Sequence, residues 1–270
     1  MTRIVLILML ICCIAGQAVS QQPSPYLFER RYEGPIVDFT VDNLGNIYLV
    51  YKSDQIKKIN ANGDSVGVFN AVRKYGQLHS IDATNPLKLI LYYKDFGTVL
   101  ALDRFLNVRN TIDLRTLNIF QAKAVGLAYD GNVWVFDEQE GKLKKISEEG
   151  KIIDQTNDLR QLFDSLPSPD RLIDQGKLVY LYDSTKGLYM FDYYGALKNR
   201  VRLLNWKDVA VVEQAVFGRN RTHLLRYDAG TLNLQQIPMP QSWQQATRIH
   251  ITSRRIYVLN NGLLEIYTLP

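Results

Sequence analysis

The segment LKKISEEGK at 143–151 repeats, 87 residues further on, the pattern of IKKINANGD at 56–64. A repeat constrains a fold more tightly than composition does, because each copy must form the same unit and bury its apolar face against its neighbours. Six copies are readable: 47–60, 89–103, 133–147, 179–192, 216–228 and 256–268. Their first residues recur every 37–46 positions. Their closing polar residues, Asn60, Asp103, Ser147, Asp192, Asp228 and Thr268, recur every 36–45.

Each copy reads as a β-hairpin. Runs rich in Val, Ile, Leu, Tyr and Phe flank a turn of Gly, Asp, Asn or Ser. An apolar stretch precedes each copy (36–41, 79–83, 124–129, 171–175, 209–214, 248–253), and a weaker strand such as 65–69, 151–155 or 231–237 follows most of them. That makes four strands per period, the signature of a β-propeller. No segment of twelve or more residues carries helical periodicity, apart from a short candidate near 157–164. The sixth copy stops at Leu269-Pro270 without its fourth strand, while PYLFERRYEG at 25–34 stands spare ahead of the first. Set as the outer strand of the last blade, that segment closes the ring and removes an open sheet edge. The predicted fold is all-β, a six-bladed propeller of four-stranded blades closed by its N-terminal strand.

Residues 1–20 read separately, as a signal peptide: Arg3, an apolar run from Ile4 to Ile14, then Ala18-Val19-Ser20. The run is too short to span a bilayer. Leu10-Ile11-Cys12 ahead of Cys13 lacks the small residue a lipid anchor needs, which argues against one. Residues 21–270 then form one domain. Both cysteines fall in the leader, so the domain has no disulfide, thiolate nucleophile or cysteine metal site and must hold by its core. The net charge of +5 is mild and its Lys and Arg are dispersed, which argues against nucleic acid.

The turns Asp42-Asn43-Leu44-Gly45-Asn46 and Tyr129-Asp130-Gly131-Asn132, each followed by Ile47-Tyr48 or Val133-Trp134, carry a resemblance. So do Lys58-Ile59-Asn60-Ala61-Asn62-Gly63 and Lys145-Ile146-Ser147-Glu148-Glu149-Gly150. They are similar to blades of the six-bladed NHL and TolB-like superfamily, whose pattern runs D-x-x-G-N-h-Y/W…h-x-x-G. Blades four to six match loosely and blade five lacks the Gly-Asn turn. The resemblance implies a fold and leaves function open, because propellers of this kind include lactonases, ligand sensors and scaffolds.

For chemistry, the chain has three histidines, His79, His223 and His250, and no HExxH, GxSxG or P-loop motif. The starts of the first strands surround the mouth of a propeller's channel, and there stand Asp38, His79, Lys123, Arg171, Asp208 and Arg248. Such a mixed ring suits a small polar ligand. It suits equally a solvated pore whose charges pair with one another. The calcium lactonases that the resemblance brings in need Glu and Asn converging on the channel. Mostly basic groups and two Asp argue against a divalent cation, so no metal or cofactor is expected. The acidic turn 137–140 lacks calcium-loop spacing. The connection 159–170 carries Leu162, Phe163 and Leu166, and Trp206 and Trp243 lie in the connections into blades five and six; these are the expected partner-binding residues. The leading expectation is an exported, non-catalytic interaction or scaffold module with an envelope protein partner, periplasmic, outer-membrane-associated or secreted. The alternative is a small-ligand-binding or hydrolytic propeller working at the channel mouth.

Overall fold

A computed structural model describes residues 25–70 and 72–269. The leader and both cysteines lie outside the described residues. Among the described residues twenty-four strands form six four-stranded antiparallel sheets. The first blade is β2 (Ile36–Val41), β3 (Ile47–Tyr51), β4 (Ile56–Ile59) and β5 (Ser65–Phe69). The second is β6 (Ser80–Asn85), β7 (Lys88–Tyr93), β8 (Thr98–Asp103) and β9 (Val108–Asp113). The third is β10 (Ala122–Leu127), β11 (Val133–Asp137), β12 (Lys142–Ile146) and β13 (Ile152–Gln155). The fourth is β14 (Arg171–Gln175), β15 (Leu178–Asp183), β16 (Gly187–Phe191) and β17 (Leu197–Val201). The fifth is β18 (Lys207–Val212), β19 (Ala215–Arg219), β20 (His223–Asp228) and β21 (Asn233–Pro238).

The sixth blade takes β22 (Arg248–Ile251), β23 (Arg255–Asn260) and β24 (Leu263–Thr268) from the end of the chain and β1 (Leu27–Glu33) from its start. β1 pairs with β24 from Leu27↔Thr268 to Glu33↔Leu263, as the spare strand predicted. The chain is a six-bladed β-propeller. The helix expected near 157–164 is a single 3₁₀ turn, Leu159–Gln161, opened by Asp158 accepting from the Arg160 N–H at 2.9 Å.

Six hydrophobic clusters make the core, and each lies between two neighbouring blades rather than within one. Strand alternation produces this directly. In β3, Tyr48 and Val50 pack toward the second blade, while Ile47 and Leu49 pack toward the sixth. A middle strand is therefore apolar on both faces, and all of β11 and all of β16 is buried. The outermost strands add little to the core beyond Phe69 of β5 and Ile112 of β9, and β13 and β21 are exposed along their whole length.

The polar residues that close the first five copies are turn-makers, while Thr268 of the sixth bonds Glu29 of β1. The Oδ1 of Asp103 accepts from the N–H groups of Phe105 and Asn107, both at 2.9 Å. Asn60, Asp192 and Asp228 bond their own turns in the same way, and Ser147 does so with one bond through its hydroxyl. A short side chain that satisfies two turn N–H groups fixes where the third strand ends, so its spacing reports the blade period.

Candidate functional site

The first strand of each blade lines the channel, with one edge paired to its second strand. On the other edge N–H groups face the channel and need acceptors. Acidic side chains of neighbouring blades supply them. The Oδ2 of Asp82 in β6 accepts from Leu127 N–H in β10 at 2.8 Å. The Oδ2 of Asp208 in β18 accepts from Ile249 N–H in β22 at 2.9 Å. The Oδ2 of Asp174 in β14 accepts from Tyr129 N–H at 3.1 Å and from the Trp134 indole at 2.9 Å. These carboxylates staple blade to blade.

At the upper mouth, where the first strands begin, β2, β10 and β18 each carry a register shift, beside Asp38, Lys123 and Asp208. Bulges at strand ends re-aim side chains. Asp38 forms an ion pair with Arg248, closing the seam between the first and sixth blades. Asp208 meets Arg219 Nε at 2.5 Å, and Arg219 also donates to the Ala246 carbonyl at 2.8 Å. His79, Lys123 and Arg171 line one cavity of about 120 Å³, together with Thr40, Asp82 and His250. The six predicted mouth residues thus separate into two groups. Asp38, Arg248 and Asp208 are bound in ion pairs, and the other three face the cavity.

Arg171 is the unusual member. Among the described residues no carboxylate lies within 4 Å of its guanidinium, nor of the Lys123 ammonium. Burial lowers the Arg171 pKa, and Arg248 adds to this against the pull of Asp38, Asp82 and Asp208. His250 packs between Phe39 and Tyr257, with ring centroids at 6.4 and 6.2 Å. Burial, then Arg248 and Arg171, push its pKa down to about 3, so the ring is neutral. Desolvation together with Lys94 and Lys123 also lowers His79. Among the described residues no group of three or more His, Cys, Asp or Glu is placed to hold a metal ion.

The expected partner-binding aromatics are placed otherwise. Trp206 is 8% exposed and Trp243 2% exposed, so both are core side chains and the docking role is corrected to packing. Trp206 joins the cluster between the fourth and fifth blades, and its N–H donates to the Tyr182 hydroxyl at 2.7 Å. Trp243 packs on Tyr26 at 4.6 Å and on Tyr267 at 5.0 Å. An indole buries more apolar area than most side chains, which favours the interior whenever an interblade gap is deep enough. Phe163 and Leu166 lean on the core between the third and fourth blades, leaving Leu162 as the exposed apolar residue of that loop.

Exposed large apolar side chains occur on the outer strands, at Phe96 and Phe120 on the upper side, and at turn tips on the opposite, lower face. Leu44, Leu87 and Tyr129 occupy turns between first and second strands. Phe105 and Tyr194 occupy turns between third and fourth strands. Each is more than half exposed. The signal was present in the sequence as an apolar residue at the tip of a tight polar turn, as in Asp42-Asn43-Leu44-Gly45-Asn46. A lower-mouth cavity of about 650 Å³ opens beside Asn43, Gln175 and Arg254. A second, of about 290 Å³, lies between the turns of blades one to four.

No protein-family model matches the chain. No curated protein matches it either. Solved structures do. Virginiamycin B lyase from Staphylococcus aureus superposes with a TM-score of 0.63 and 9% identity, over 89% of this chain and 99% of that one. BamB from Moraxella catarrhalis gives 0.52 and 12% identity, over 86% of this chain and 85% of that one. PorZ from Porphyromonas gingivalis gives 0.56 and 14%, over 87% of this chain and 31% of that one. At these identities the likeness is one of fold.

Proposed function

We propose that the protein is an exported, non-catalytic propeller that works as an interaction module of the bacterial cell envelope, and that its lower face contacts the partner. The observation that carries the reading is the set of exposed apolar tips on neighbouring turns, Leu44, Leu87, Phe105, Tyr129 and Tyr194. Exposed apolar side chains grouped on one face of a globular domain favour a protein contact. The commitment of the channel carboxylates Asp82, Asp174 and Asp208 to blade-stapling bonds supports binding over acid–base chemistry. Export rests on the leader pattern at 1–20. PorZ, described as a bacterial surface component of a secretion system, makes an envelope setting consistent with the fold. No helix among the described residues is long and apolar enough to cross a membrane.

The test is affinity purification of the tagged protein from crosslinked envelopes, comparing wild type with Leu44→Ser/Leu87→Ser and with Arg171→Met. A stoichiometric protein partner lost only in the leucine variant supports the reading. Wild type recovered alone sinks it. A second reading, a small-ligand binder at the upper mouth, is favoured by one feature, the Arg171 guanidinium facing a cavity without an ion-pair partner. It predicts that Arg171→Met loses function while the leucine variant keeps it.

A further inference from the structure

The 290 Å³ cavity of the lower face differs from the channel in its chemistry. Its wall includes the amides of Asn43, Asn85 and Gln175 and the rings of Tyr129 and Tyr193. Among the described residues Asn43 and Gln175 make no side-chain hydrogen bond, and Asn85 uses only its oxygen, on Leu87 N–H at 2.9 Å. Donors and acceptors without net charge therefore stand in the cavity wall. The one carboxylate there, Asp174, is buried and already accepts from Tyr129 N–H, the Trp134 indole and the Tyr193 hydroxyl.

The aromatic part is rigid. Tyr193 is fixed by its 2.7 Å bond to Asp174, and Tyr129 stacks on it with centroids 4.4 Å apart and planes 8° from parallel. Lys145 stands within 5.0 Å of the Tyr129 and Trp134 centroids and is itself held by Asp130 at 2.5 Å. Tyr129 is nevertheless 65% exposed, so the face turned away from Tyr193 is open. A pre-positioned flat ring beside neutral amide groups complements a ligand with an apolar C–H face and a rim of uncharged hydroxyls. An amide supplies a donor and an acceptor side by side, which is what adjacent hydroxyls need. A peptide would leave the amides with few partners unless it ran extended across them, and a charged ligand finds no free counter-charge.

We propose that this cavity is a saccharide-binding site that stacks one neutral sugar ring on Tyr129 and hydrogen-bonds its hydroxyls through Asn43, Asn85 and Gln175. The proposal rests on the reading that the lower face is the working surface, and it makes an envelope glycan a ligand of that face.

The experiment uses the full exported chain with chitotriose, maltotriose, cellotriose and mannotriose as probes, read by saturation-transfer NMR and calorimetric titration. The expected result is binding of at least one probe, with transfer concentrated on one face of one ring. Tyr129→Ala should weaken it by about tenfold or more, and Tyr129→Trp should retain it. Asn43→Ala should weaken it without changing the unfolding temperature. No binding by any probe overturns the proposal, as does binding that survives Tyr129→Ala, or binding of an extended polar peptide with no sugar bound. The leucine variant keeps Tyr129 and the amides, so sugar binding there with loss of the protein partner separates this site from the protein contact. Partner capture by a Tyr129→Ala protein while no sugar binds to wild type defeats the saccharide site alone.

Discussion

The carboxylate of Asp174 joins the fourth blade to the third by accepting the Trp134 indole N–H at 2.9 Å. The first blade solves the same problem internally, because Tyr48, which occupies the place of Trp134 in the repeat, donates to Asp42 at 3.0 Å. Two copies of one unit thus satisfy the same buried polar group from different parts of the chain. Removing the Asp174 acceptor leaves the indole and the Tyr129 N–H unpaired and takes the acceptor from the Tyr193 hydroxyl. Asp174→Ala should destabilise by about 2–4 kcal/mol in urea unfolding, and Asp174→Asn by less. Equal losses in the two would show that packing rather than hydrogen bonding is at stake.

Arg219 and Arg171 both stand near the channel, and they should respond in opposite ways. Arg219 is buried and bonded to Asp208 and the Ala246 carbonyl. Arg219→Met should cost about 2–3 kcal/mol by removing a charge-assisted bond to the half-buried Asp208 and the donor to the Ala246 carbonyl. Arg171→Met removes a desolvated cation that has no direct partner, and the unfolding midpoint should stay level or rise. A large loss in Arg171→Met would make that residue a structural counter-charge to Asp38, Asp82 and Asp208.

Acid should unfold the protein partly through His250. Its folded pKa of about 3 lies below the ordinary value of about 6.5, so the unfolded chain takes up a proton in that window and the folded one does not. The stability contributed by the neutral ring is present above the ordinary value and is lost as pH falls from about 6.5 toward 3. Urea midpoints measured across that range should decline, and His250→Phe should flatten the decline. An unchanged slope in the variant assigns the acid sensitivity to other groups.

Ring closure predicts a large effect from a short deletion. Removing residues 25–33 takes away the outer strand of the sixth blade and exposes the whole edge of β24. The unfolding temperature should drop by about 10 °C or more, with concentration-dependent aggregation. Deletion without either change would mean that the sixth blade stands on three strands.

The Tyr189 hydroxyl is, among the described residues, the buried side-chain polar atom without a hydrogen-bond partner. Phe163 meets its ring edge-on at 5.0 Å and Arg200 stands 4.9 Å from the centroid. Tyr189→Phe removes an unpaired polar atom and keeps the packing, so stability should be unchanged or higher, by up to about 1 kcal/mol. A loss would reveal a bound water that serves the hydroxyl.

The propeller was legible because its signals are local. Asn60, Asp103, Asp192 and Asp228 close their turns with bonds to N–H groups within four residues, so their spacing marks the blades without knowledge of neighbours. The double-sided apolar runs of β3, β11 and β16 and the spare strand at 25–34 were equally readable, because strand alternation and chain length set them. What each mouth residue does was not readable. Asp38 and Arg248 are 210 positions apart and pair only because the ring closes. Asp208 turns to Arg219 and to Ile249 of the next blade, and Trp206 and Trp243 sink into gaps that exist only once two blades meet. The sequence by itself determined the repeat, the six blades and the closing strand, through interactions a few residues long. Which charges are consumed in pairs, which aromatics are core and which face carries open apolar tips were decided by the tertiary structure, because each depends on surfaces brought together from separate blades.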